Sequence, residues 1–244
     1  MSEQVRLAKY FTDCGVLSRR AAEEEIKKGR VKVNGAVAEL GQKIIPGQDV
    51  VEYAGKKITP SPCAGKVYIM LHKPRGFVTT MSDEKGRPTV ATLTKSVGTR
   101  VYPVGRLDMD SSGLLLMTND GELANRLTHP RHDIPKIYHV LVAGHPTTAQ
   151  MTGLGSPADL DGYITQPIRV RKLAQGENET LLEMTLYEGR NRQIRRICEM
   201  QNLRVKQLVR VAVGEVELGE LPEGKYTRLS AAQVAYLKGE RDHV

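Results

Sequence analysis

The stretch Gly105-Arg106-Leu107-Asp108-Met109-Asp110-Ser111-Ser112-Gly113-Leu114-Leu115-Leu116-Met117-Thr118-Asn119-Asp120-Gly121 decides how this chain is read. A polar turn between two glycines leads into the uncharged run Leu114 to Met117. Such a run, bounded by turn residues, fits a strand buried on both faces. The turn before it exposes Asp108, with Arg106 on the same side of an extended segment, since strand side chains alternate at period two. Asp110 would share that side and is a rival carboxylate. Taken alone, Gly-x-x-Asp is a turn whose carboxylate caps backbone N–H groups.

Outward from this stretch, Val67 to Leu71 reads as a strand ending in the turn His72-Lys73-Pro74-Arg75-Gly76. Glu122 to Leu127 reads as a short helix, Ile137 to Val142 as a strand, and Leu181 to Tyr187 as a weakly alternating one. Asn191 to Gln201 fits a helix with Ile194, Ile197 and Cys198 on one face. Val211 to Leu218 reads as a late strand, and Ser230 caps a last helix through Leu237. Strands outnumber helices and short turns join many of them, which favours an α+β core on a mixed, mainly antiparallel sheet flanked by helices.

The first sixty residues follow another pattern. Val5 to Cys14 reads as a helix stopped by Gly15, and Ser18 caps a second helix, Arg19 to Lys28, that ends at Gly29. Arg30-Val31-Lys32-Val33 alternates and runs into Asn34-Gly35, a strong hairpin signal. A second turn and strand fall within Ile44 to Tyr53. Thr59-Pro60-Ser61-Pro62-Cys63-Ala64-Gly65 reads as a linker. The expected division is residues 1–60, a linker at 61–66, and residues 67–244.

Composition narrows the function classes. The chain of 244 residues has 36 Lys+Arg against 28 Asp+Glu, a net of +8, and 40% hydrophobic residues. That is too apolar for disorder, and the charge favours an acidic partner, nucleic acid first. Three cysteines without a CxxC pair argue against a disulfide scaffold and point to a reducing cytoplasm. Met1 to Asp13 holds Glu3, Arg6, Lys9 and Asp13 rather than an apolar signal segment. The longest stretch free of Asp, Glu, Lys and Arg, Ile137 to Ala158, is rich in Gly, Pro, Thr and His, so no membrane association is expected. His129, His132, His139 and His145 have no Cys or carboxylate ladder beside them, so no metal is expected. Phosphate-loop glycine motifs and a nucleophile elbow are absent.

Two resemblances carry the reading further. Arg6-Leu7-Ala8-Lys9, then Gly15 to Glu23, with Gly29-Arg30-Val31-Lys32-Val33-Asn34-Gly35, is similar to an S4 domain (αL-type), which implies binding to structured RNA. Arg19, Arg20, Lys27, Lys28, Arg30 and Lys32 cluster around the second helix and its exit and can meet phosphates, although Glu23, Glu24 and Glu25 could simply balance a solvated face. The stretch around Asp108 resembles the active-site signature of pseudouridine synthases, specifically the ribosomal branch with an N-terminal S4 domain. Leu71 to Gly76, Lys136-Ile137-Tyr138, and Glu188-Gly189-Arg190-Asn191-Arg192-Gln193-Ile194-Arg195-Arg196 match its other motifs in order. His72 stands where the family often has Asn, and Cys198 where an aromatic residue is common.

The resemblance implies catalytic roles for three residues. Asp108 is the reactive carboxylate, Arg195 the arginine paired with it, and Tyr138 the ring packed on the target base. Arg106 is implied to help displace the flipped base. Residues 189–210 hold seven Lys/Arg against Glu199 alone; Arg190, Arg192 and Arg196 are expected to contact RNA, and so is Lys73. The expected activity is isomerisation of a uridine in ribosomal RNA, in the large subunit by preference, with ribosomal RNA or a pre-ribosomal particle as partner. A monomer with no cofactor is expected. The alternatives are a non-catalytic S4-type ribosome-associated factor and a hydrolase of nucleosides or glycans. Asp108, Tyr138 and Arg195 together disfavour the first, and the lack of a second placed carboxylate disfavours the second.

Overall fold

The computed structural model describes residues 4–59, 65–129 and 134–240. The expected linker residues 60–64, among them Cys63, and also His132 lie outside the described residues. The chain divides into two compact units, Met1–Lys66 and Val67–Val244.

In the first unit the helices are Leu7–Asp13 and Arg19–Lys27. The Ser18 hydroxyl accepts from the Ala21 N–H at 3.2 Å, fixing the start of the second helix. Asn34 and Gly35 both take positive φ, 53° and 84°, the twist a two-residue hairpin needs. Strand Val31–Val33 therefore turns back onto Ala36–Val37 and pairs on its other side with Val51–Tyr53. Leu7, Phe11, Ala22, Ile26, Val31 and Val51 close this small core.

The second unit is an α+β domain. Nine of its described strands form one mixed sheet, with the path Arg169–Gln175, Glu179–Leu186, Lys136–Ala143, Val205–Val213, Ser112–Thr118, Tyr68–Lys73, Tyr226–Arg228. All pairings along that path are antiparallel except Ser112–Thr118 against Val205–Val213. Ser112–Thr118 is buried at every position, as its uncharged run requires. Helices Thr148–Gly155 and Gln193–Met200 pack Leu154, Ile194, Ile197 and Cys198 with Val140, Leu182, Met184 and Leu208. Gly121–Thr128 and Ala231–Lys238 bring Leu123, Leu127 and Leu237 to Leu114, Leu116 and Val213.

Two strands differ from the sequence reading. The expected strand Val211–Leu218 is the end of the longer Val205–Val213, a turn at Gly214-Glu215, and the short return Val216–Glu217. Lys206, Gln207 and Arg210 hide the start of the long strand from a hydrophobicity count. Arg169–Gln175 is a strand with little apolar content, held as a partner of Glu179–Leu186.

The parallel pairing depends on Gly113. Its φ is 112°, and a Cβ there would stand 2.3 Å from the Arg210 carbonyl oxygen and 2.5 Å from the Arg210 nitrogen. Neither atom can move, because Arg210 is itself bonded into the sheet at that level. Gly113→Ala is expected to destabilise the chain by about 3 kcal/mol. Urea unfolding checks this; a midpoint equal to wild type would show that the two strands part freely.

Candidate active site

The turn before the central strand is held by a lysine. Asp108 to Ser111 forms a turn in which the Ser111 N–H donates to the Asp108 carbonyl at 3.1 Å. The Lys73 ammonium donates to the carbonyls of Asp108 at 3.0 Å, Ser111 at 2.7 Å and Pro74 at 3.0 Å. Gly76 N–H donates to the Met109 carbonyl, and the Thr79 hydroxyl donates to the Leu107 carbonyl at 2.6 Å. Lys73 is 0% exposed. This corrects the expectation that Lys73 contacts RNA: all three of its donors are spent inside the protein. Burial pushes its pKa down to about 8, against the opposing pull of Asp108 and Asp110.

The two carboxylates of the turn are treated differently. Arg192 donates to both oxygens of Asp110 at 3.1 Å, and the Arg195 guanidinium lies 3.2 Å from Asp110 Oδ2 while donating to the Asp110 carbonyl at 2.9 Å. Burial raises the Asp110 pKa, but the Arg192 hydrogen bonds and the two positive charges outweigh it, and the net shift is downward. Among the described residues the Asp108 carboxylate has one ion pair, the longer Arg192 contact at 3.9 Å. The expected direct pairing of Arg195 with Asp108 is therefore corrected: Arg195 pairs with Asp110, because the turn swings the Asp110 carboxylate toward helix Gln193–Met200. Asp110 is not merely a turn residue. Arg192, expected on RNA, instead spends its guanidinium chiefly on Asp110.

Asp108 faces a cleft of about 450 Å³. Arg106, Tyr138, Arg190 and Arg192 line it with Asp108, whereas Asp110 and Arg195 are not among its lining residues. Leu116, Leu127, Leu186, Ile194, Leu208 and Val213 give it an apolar floor. Tyr138 reaches it from the central strand Lys136–Ala143, and Arg106 is exposed at the start of the turn. Arg210 also lines it; its buried guanidinium donates from Nε to the Leu114 carbonyl at 2.7 Å. Volumes of about 300–1,000 Å³ suit small-molecule sites, and an apolar floor rimmed by Arg106, Arg190 and Arg192 suits a flat ring carried on an anionic backbone.

Other expected residues fall elsewhere. Arg196 is bonded to Asp161 at 2.8 Å. In the first unit Arg19, Arg20, Arg30 and Lys32 are exposed. Lys27, Lys28 and Arg30 are paired with Glu24 and Glu25, while Arg19, Arg20 and Lys32 have no ion pair among the described residues. The acidic triplet thus balances half of the basic cluster. Cys198 is buried, which pushes its thiol up to about 12 and leaves it a core residue. His72 bonds the Leu221 carbonyl through Nδ1 at 2.6 Å. No group of three or more His, Cys, Asp and Glu side chains among the described residues could hold a metal ion.

A family model described as RNA pseudouridylate synthase matches residues 67–200, and an S4 domain model matches residues 5–51. The chain belongs to the RNA pseudouridine synthase family. An uncharacterized RNA pseudouridine synthase of Aquifex aeolicus is 41% identical, covering 96% of this chain and 94% of the relative. Ribosomal large subunit pseudouridine synthase B of Bacillus subtilis is 40% identical, covering 98% and 97%. Dual-specificity RNA pseudouridine synthase RluF of Escherichia coli O157:H7 is 38% identical, covering 93% and 76%. A solved pseudouridylate synthase structure superposes with a TM-score of 0.68 at 29% identity, covering 96% of this chain and 99% of that one. Three of the motifs quoted above, around Asp108, at Lys136-Ile137-Tyr138 and from Glu188, supply cleft-lining residues, whereas Leu71 to Gly76 holds the Asp108 turn through Lys73 and lines none of the cleft. Sequence reasoning gave no role to Tyr163, Gln166 or Glu188, which also line it.

Deprotonating Lys73 leaves two donors for three carbonyls, so the turn that carries Asp108 loosens. Turnover is expected to fall with an apparent pKa near 8. The stability effect has the opposite sign. The folded pKa lies below the unfolded one, so between about 8 and about 10.4 the unfolded chain binds more protons, and this group's contribution to stability rises with pH. A pH–rate profile beside thermal melts checks both; turnover flat to pH 9.5 would contradict the anchoring role.

Proposed function

We propose that the protein converts a specific uridine of ribosomal RNA, in the large-subunit 23S RNA, to pseudouridine, with Asp108 as the catalytic carboxylate. The observation that carries this reading is the contrast between Asp110, saturated by two arginines, and Asp108, which lines the cleft beside Tyr138 with its oxygens largely free. The N1–C1′ bond of the uridine breaks, the base turns, C5 joins C1′, C5 loses its proton and N1 gains one. No net oxidation or hydrolysis occurs. The uridine leaves its stack first, and Arg106, exposed at the turn, is placed to occupy the space it vacates. Tyr138 packs its ring on the extruded base. The apolar floor keeps water from the sugar carbon, so the base is rejoined rather than hydrolysed off.

Arg195 acts as a positioning residue. Its bond to the Asp110 carbonyl and its charge beside the Asp110 carboxylate fix the turn, and Asp108 is fixed with it. Lys73 does the same from within. The first unit, read as residues 1–60 ahead of the linker, supplies the grip on RNA through Arg19, Arg20 and Lys32. The similarity to the Bacillus subtilis large-subunit enzyme supports the large-subunit target. No described helix is long and apolar enough to cross a membrane, in keeping with a cytoplasmic role in ribosome biogenesis.

Mapping pseudouridines in 23S and 16S RNA, from cells with and without the gene, tests the reading. One 23S position should lose its modification and regain it from the wild-type gene; unchanged maps of both RNAs would overturn it. The triple variant Arg19→Ala, Arg20→Ala, Lys32→Ala should lower the slope of log K against log salt for the same RNA by about 2. An unchanged slope would remove these residues from the interface.

A further inference from the structure

The cleft contains a second planar surface that the isomerisation does not use. Residues Asp159 to Ile164 bridge as a tight hairpin, and Asp161 and Gly162 at its tip both take positive φ, 58° and 82°. The hairpin carries Tyr163 into the cleft lining. The Tyr163 hydroxyl donates to Glu188 Oε2 at 2.8 Å. Glu188 Oε1 accepts from the Gln166 N–H and from Gln193 Nε2, each at 2.9 Å. Glu188 is only 9% exposed, so this is an interior carboxylate fully engaged in holding one ring.

Arg190 lies on that ring. Its guanidinium carbon is 3.5 Å from the Tyr163 ring centroid, a stacking distance. The Arg190 N–H donates to Gln193 Oε1 at 3.0 Å, so the glutamine that holds Glu188 also fixes the arginine backbone. Among the described residues the guanidinium donates no hydrogen bond, and its nearest carboxylate, Glu188, is 3.9 Å away. The side chain is 46% exposed. The ring covers one side of the cation, and nearly half of the side chain stays open to solvent. A phosphate contact needs only a charge on a flexible stem; it does not need a ring beneath the guanidinium or a buried network beneath the ring.

We propose that the Tyr163–Arg190 stack is a second base-binding subsite, which receives an unpaired nucleobase flanking the target uridine on the outer face of the guanidinium. Guanidinium planes and aromatic rings are the surfaces on which splayed RNA bases stack. Holding the neighbour would keep the strand splayed while the target occupies the Asp108 end of the cleft. This rests on the RNA-uridine reading above, and it makes Tyr163 and Glu188 positioning residues for RNA.

The test uses the full chain and a synthetic RNA hairpin spanning the uridine that wild type modifies in a 23S transcript. Abasic nucleotides replace, one at a time, the two positions on either side of the target. At one position the missing base should lower wild-type kcat/KM by about tenfold. Arg190→Lys keeps the charge and loses the plane; Tyr163→Leu removes the support. Both should lose a similar factor on intact RNA, mostly in KM, show no further loss on the abasic RNA, and keep the wild-type salt slope. Should Tyr163→Leu melt early, the exposed Arg190→Lys carries the test alone. Equal abasic penalties in wild type and Arg190→Lys would overturn the subsite and leave the isomerase reading intact. If wild type modifies no uridine in the transcript, that reading fails and the subsite falls with it.

Discussion

A buried ammonium group holds the second unit's chemistry in place. Lys73 ends a strand and would ordinarily extend into water; here it is wholly enclosed and spends each N–H on a carbonyl. Two of those carbonyls, Asp108 and Ser111, close the same turn. Without the cation the Ser111 carbonyl would lose its bond to Lys73 in a dry interior, at a cost of about 1–3 kcal/mol, and the Asp108 carbonyl would keep only the Ser111 N–H. The lysine thus fixes the backbone of Asp108 while leaving its carboxylate alone. Gly113 completes the arrangement: lacking a side chain, it admits the Arg210 backbone and lets the strand carrying cleft residues Leu208, Arg210 and Val213 come alongside.

The placement of charge follows from this turn. Two aspartates two residues apart face different environments. Asp110 takes the hydrogen bonds of Arg192 and the charge of Arg195, which favour its ionised form. Asp108 lines the cleft, and its carboxylate makes one ion pair among the described residues, the 3.9 Å contact with Arg192. An arrangement with both arginines on Asp108 would orient it better but occupy the lone pairs it needs. A carboxylate restrained through its backbone and left open at its oxygens is the better arrangement for attack or proton removal.

Much of this was legible in the sequence, and the rest was hidden for identifiable reasons. The uncharged run Leu114–Met117, the Asn34-Gly35 turn and the Ser18 and Ser230 caps each act locally, so their positions agree with the structure. Asp108, Arg106 and Tyr138 were singled out because whole motifs surround them, and the structure brings all three to the lining of one cleft. Lys73 was misread because a lysine beside Pro and Gly is usually solvated, and the carbonyls that bury it come from a turn 35 residues away. The Arg195 partner depended on how far one turn rotates, which spacing cannot give. Tyr163 and Glu188 meet across 25 residues, and their only local signal is Asp161-Gly162, a hairpin pair between Leu160 and Tyr163.

The two units differ in what they expose: the first carries Arg19, Arg20 and Lys32 without an ion pair among the described residues, and the second a cleft with an apolar floor, basic side chains and the Asp108 carboxylate. The claim that most depends on the structure is that Asp108 reacts and Asp110 only anchors. Release of tritium from C5-labelled uridine in a 23S transcript, measured for Asp108→Asn and Asp110→Asn alongside RNA binding, tests it directly. The account predicts that Asp108→Asn binds normally and loses turnover by at least about a thousandfold, while Asp110→Asn keeps a measurable part of the rate. Turnover retained by Asp108→Asn and abolished in a folded, RNA-binding Asp110→Asn would contradict it.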